Sequence, residues 1–85
     1  MSNDNVLTEQ VREIMAATFA LDENELPDDV SQQTCRRWNS LQHMTLMVAL
    51  EEHFGVRLSM ADMTAMKSLP LIVATLARHA ETAVA

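Results

Sequence analysis

Glycine, proline and aromatic residues are scarce in this chain. Of 85 residues, one is Gly and two are Pro; the aromatics are two Phe and one Trp, with no Tyr. The β-branched residues show no alternating runs, so strands are not indicated and an all-α class follows. Positive charge is short as well: six Lys and Arg stand against twelve Asp and Glu, a net charge of −6. That balance argues against a nucleic-acid binder, which needs clustered Lys and Arg. It equally argues against attraction to an anionic membrane surface and favours partners with basic patches. No apolar run approaches the ~18 residues of a membrane span. The start, Met1-Ser2-Asn3-Asp4-Asn5, lacks the basic and apolar regions of a signal peptide. A lone Cys35 cannot close an internal disulfide, which fits a reducing cytoplasm. Pairing Cys35 with His43 as nucleophile and base would require a third, orienting group, and the sequence supplies none.

Hydrophobic residues make up 48% of the chain, enough for one core in a single domain over 1–85. A chain this short buries only about 60–65% of its unfolded surface, so its stability should be modest. Seven Met give either a core that repacks around a flexible guest or ordinary filler. Residues 1–5 are polar and expected to fray. Leu7, Val11, Ile14, Met15 and Thr18–Phe19 mark one face of a helix from about Asp4 to Ala20, with Glu9 and Glu13 toward its N-terminal half. A long acidic loop follows over 21–39, with Leu26, Val30 and Trp38 expected to pin it to the core. Its segment Asp22-Glu23-Asn24-Glu25 lacks the Gly and closing Glu of a calcium loop. No internal repeat is visible.

The most regular apolar pattern begins at Trp38-Asn39-Ser40-Leu41. Leu41, Met44, Met47, Val48, Leu50 and Phe54 recur mostly at helical spacing and end at Gly55. Asn39 suits the N-cap, Gln42 suits the returning half of a capping box, and Gly55 suits the stop. The spacing predicts a helix over 40–54 with Gln42, His43, Thr45, Glu51, Glu52 and His53 on its outer face. Ser40 then stands on the first turn, where free amides and the helix dipole would stabilise an attached phosphate. The local pattern by itself favours a plain capping serine. Arg36 and Arg37, just upstream, either offset the acidic loop or meet a phosphate or acidic partner; His43 reads as an exposed histidine or a phosphate contact. Val56-Arg57-Leu58 is a short link. Ser59 and Asp62 open a short third helix to about Met66, and Ser68 and Pro70 open a fourth. Leu69, Ile72, Val73, Leu76 and Ala80 line its inner face, His79 suits its C-terminal dipole, and 81–85 form a frayed tail.

Asn39-Ser40-Leu41, followed by Met44-Thr45-Leu46-Met47-Val48-Ala49-Leu50-Glu51-Glu52-His53-Phe54-Gly55-Val56, resembles the acyl carrier proteins. Their signature is Asp-Ser-Leu opening a helix that ends in a Leu-Glu-Glu-x-Phe-Gly-like segment, and the likeness extends more weakly over about residues 5–80. The resemblance implies a four-helix bundle with three longer helices and one short one. It implies a covalent 4'-phosphopantetheine arm on Ser40, carrying acyl groups as thioesters, with no catalysis by the domain itself. It implies a monomer served by a phosphopantetheinyl transferase and by acyl-activating, acyltransferase or ketosynthase enzymes of fatty-acid, polyketide or other acyl biosynthesis. Asn39, Leu41, Met44, Glu51 and Glu52 fall where the family docks its partners. Asn39 replaces the family's Asp, and Gln42 and Thr45 stand where many relatives carry an acid. Two other readings are an aminoacyl carrier and an interaction module that keeps the fold unmodified. The first usually places a Gly-rich segment and a His before the Ser, where this chain has Arg36-Arg37-Trp38-Asn39.

Overall fold

The repeat of Val11, Met15 and Phe19 at intervals of four puts three large side chains on one line of a helix, and all three are fully buried. That helix, α1, spans Asn3–Phe19, and both α4 and α2 pack against it. The computed structural model describes the backbone of residues 3–84 and the side chains of residues 6–79. After α1 come a single 3-10 turn at Glu23–Glu25, α2 over Ser40–Phe54, α3 over Met60–Ala65 and α4 over Leu69–Val84. Among the described residues there is no strand, only an isolated bridge between Ser31 and Ser68. The radius of gyration, 12.0 Å, is that of a compact chain of this length, about 12 Å. The architecture is the expected four-helix bundle, three longer helices and one short one.

The bounds of α2 agree with the sequence. Two ends do not. Helix is already present at Asn3, where fraying was expected, and α4 continues through 81–84, where a tail was expected. The run Ala74 to Ala83 is rich in Ala, the best helix former, which favours continuing the helix. Met1, Ser2, Ala85 and the side chain of Ala80 lie outside the described residues. Helix α3 stops at Ala65, with Met66 as its C-cap rather than its last turn.

The loop over 20–39 is closely tied down. Leu26, Val30 and Trp38 are buried as expected, and Cys35 joins them. The Leu69 amide donates to the Val30 carbonyl at 2.9 Å and the Gln32 amide to the Lys67 carbonyl at 3.0 Å, fastening the loop to the start of α4. Arg12, which no sequence pattern singled out, is buried on α1. Its guanidinium donates to the Leu26 carbonyl and to Asp28, with Glu9 at 3.6 Å. A buried cation with its donors so engaged holds the loop without leaving an unpaired charge. Ala20 closes α1 at φ 57°, the left-handed conformation usual for Gly at this position.

Candidate functional site

Ser40 is the first residue of α2 and is exposed. Asn39 before it has an extended backbone, and its Oδ1 accepts from the Gln42 amide at 2.9 Å. Only half of the expected capping box forms: among the described residues, the Gln42 side chain makes no return bond to the Asn39 amide. Gly55 ends the helix at φ 65°, with its amide donating to the Glu51 carbonyl. A Cβ at Gly55 would meet no atom within 4 Å, so the left-handed backbone rather than crowding is what favours glycine there.

No described side chain bonds the Ser40 hydroxyl. The first amides of α2 have no intrahelical acceptor, and its first turn holds no acid. An anion esterified here would meet free N–H groups and the positive end of the helix dipole. The residues therefore fit an attached phosphate group.

The neighbours correct several expectations. His43 is not on the outer face. Trp38 Nε1–H donates to its Nδ1 at 3.0 Å, and its Nε2 donates to the Met63 carbonyl at 2.8 Å. With both nitrogens committed, His43 neither contacts a group on Ser40 nor serves as its base. Trp38 itself is buried, stacked on His43 with ring centroids 6.0 Å apart and tilted against Phe19 at 5.7 Å. Arg37 turns away from Ser40 and donates to the Phe19 carbonyl at 2.8 Å, capping α1. Arg36 is exposed.

The apolar pattern of α2 splits between two faces. Leu46, Met47 and Leu50 are fully buried, with Phe54 partly buried against the core. Leu41, Met44 and Val48 are 76%, 48% and 49% exposed. Their spacing of three and four makes them one stripe running from the Ser40 turn. Glu52 is exposed, but Glu51 is half-buried and its Oε2 accepts from the Leu58 amide at 2.9 Å. Glu51 thus fastens the α2–α3 link, and the two acids are not equivalent. His43 shares its helical stripe with residues 46, 47 and 50, the stripe that the fold turns inward.

On α3, Ser59 and Asp62 form a complete capping box, and Asp62 Oδ2 also meets His79 Nε2 at 2.8 Å. His79 therefore reaches across to α3 instead of serving its own helix end. The His79 hydrogen bond, then those from Ser59, hold the Asp62 carboxyl below the usual aspartate value. No described helix is long and apolar enough to cross a membrane.

Two comparisons with known proteins bear on this site. A family model described as "Phosphopantetheine attachment site" matches residues 9–76. "Polyketide-8 synthase acyl carrier protein 2" of Streptomyces avermitilis is 38% identical over 61 residues, covering 72% of this chain and 70% of that protein.

Proposed function

The chain belongs to the phosphopantetheine-binding family of acyl carrier proteins, and from that premise we propose that Ser40 is where its 4'-phosphopantetheine arm is attached. Members of this family are carriers, not catalysts. The arm, when bound, supplies a flexible tether with a terminal thiol that holds an acyl chain as a thioester. The observation that carries the assignment is the exposed, unpartnered Ser40 hydroxyl on the first turn of α2. Its oxygen attacks the phosphorus of the pantetheine donor and becomes the ester oxygen of the phosphodiester. The donor's pyrophosphate P–O bond breaks and its nucleotide phosphate leaves. The hydroxyl proton goes to the transferase, since His43 has no free nitrogen to take it. Asn39 keeps the turn closed through its bond to the Gln42 amide, so modification requires no rearrangement of the cap.

The cargo we assign is a polyketide-type acyl intermediate, exchanged with acyltransferase and ketosynthase enzymes. The likeness to a polyketide-synthase carrier supports this. We place partner contact on the exposed stripe of Leu41, Met44 and Val48 beside Ser40, with Glu52 as its free acid and Asn39 at its edge. Intact-mass measurement after incubation with a transferase and its pantetheine donor tests the assignment. One phosphopantetheine group should be added, and Ser40→Ala should abolish the addition at unchanged helix content. Addition at another serine would overturn it. The mass of the loaded native form then separates acyl from aminoacyl cargo.

A further inference from the structure

Helix α3 is held differently from its neighbours. None of its six residues is fully buried, and Met63 is its only described apolar side chain packed against the core. Its polar anchors come from two other helices: His43 of α2 at the Met63 carbonyl, and His79 of α4 at Asp62. The His43 anchor does not end there. Its other nitrogen receives the Trp38 indole N–H, and Trp38 is buried two residues before Ser40. An indole N–H only donates and a carbonyl only accepts. These partners set the tautomer: Nδ1 accepts and Nε2 carries the hydrogen. One imidazole spans the Ser40 turn, grasping the loop that enters it on one side and α3 on the other.

We propose that His43 is a positioning residue that locks α3 and the Ser40 turn into one preformed face for the transferase. The functional half rests on the assignment of Ser40; the mechanical half does not. Removing the imidazole leaves the Trp38 N–H and the Met63 carbonyl without partners, at a part-buried site. The first residues of α2 keep their Asn39 cap, so the helix persists while its relation to α3 loosens.

Two substitutions test this on the full chain. His43→Leu removes both bonds. His43→Gln can remake them, because a side-chain amide accepts at oxygen and donates at nitrogen. Amide hydrogen exchange of the unmodified proteins is measured first. In His43→Leu, exchange in α3 should accelerate by about fivefold to tenfold, the usual net worth of one or two hydrogen bonds, and by more than in α1 or α4. His43→Gln should fall between. In the transferase reaction, His43→Leu should raise the KM for the carrier about fivefold while kcat at saturation stays near wild type, and His43→Gln should recover most of the loss. If His43→Leu fails to fold, Trp38→Phe, which removes only the indole donor, should give the same pattern with a smaller amplitude. Unchanged exchange in α3, acceleration equal in all helices, or selective acceleration with an unchanged KM would each overturn the proposal. If wild type itself gains no mass, the Ser40 reading fails, and the exchange pattern alone decides whether the tie exists.

Discussion

Reversing the charge of Glu51 and of its neighbour Glu52 should give very different proteins. Glu51 Oε2 accepts from the Leu58 amide, and Leu58 is buried. Glu51→Lys removes that acceptor and leaves a part-buried N–H unpaired. A hydrogen bond to a charged group contributes about 1.5–3 kcal/mol, and an orphaned buried donor costs about 1–3 kcal/mol. Glu51 is only half-buried, so water recovers part of this, and the expected loss is about 1–2 kcal/mol. For a domain this small the urea dependence is about 1 kcal/mol per molar, so the unfolding midpoint should fall by about 1–2 M. Glu51→Gln keeps an acceptor and should lose about 0.5 kcal/mol or less. Glu52→Lys, on the exposed side, should stay within about 0.5 kcal/mol of wild type. Urea unfolding followed by helical circular dichroism reads all three. Equal midpoints for Glu51→Lys and Glu52→Lys would refute the reasoning. The same comparison makes Glu52→Lys the clean probe of docking: it should slow acyl transfer at low salt and less so at high salt, where screening acts over roughly 10 Å.

Three further outcomes follow from the geometry. Ala20→Gly should stabilise the protein by about 0.5–1 kcal/mol, because it relieves a left-handed backbone that costs a non-glycine residue roughly 1 kcal/mol or more; thermal unfolding checks it, and a lower midpoint would contradict it. Asp62 has its pKa depressed on folding, so its contribution is complete above the ordinary value near 3.8 and is lost as pH falls through the folded value. Below about pH 4 wild type should therefore lose stability more steeply than Asp62→Asn, as unfolding at stepped pH would show. Asn39→Asp should retain the cap, since the two residues cap almost equally well, and should raise the rate of Ser40 modification by a transferase that reads the family's Asp; an equal or lower rate in a mass-based time course would show that Asn suits this chain's own transferase.

Local chemistry made α2 legible. Asn39, Gly55 and the apolar repeat between them place both ends where the structure has them, and Val11, Met15 and Phe19 declared the inner face of α1 just as directly. The inward face of α2 was not legible in the same way. Leu46, Met47 and Leu50 form one stripe and Leu41, Met44 and Val48 another, so helical periodicity cannot choose between them. The choice is made in three dimensions, where α1 covers one stripe and His43 finds Trp38 and Met63 on that same side. Arg12 was hidden for a related reason. Its partners lie 14 and 16 residues away, in a loop whose path the sequence does not specify. Ser40 was singled out without tertiary information, because the motif around it, more than the cap beside it, carries the resemblance.

The burial of Cys35 has a practical consequence for chemistry at the bench. It is the chain's one cysteine, and it is packed in the core. Thiol reagents act on accessible thiolates, and a thiol inside an apolar core is inert to them. In the native protein, a maleimide dye should therefore couple to the far end of the arm and spare the polypeptide. Dye uptake under native conditions would count the fraction of molecules carrying a free arm. Uptake after unfolding would add one equivalent from Cys35, so each sample would contain its own internal standard.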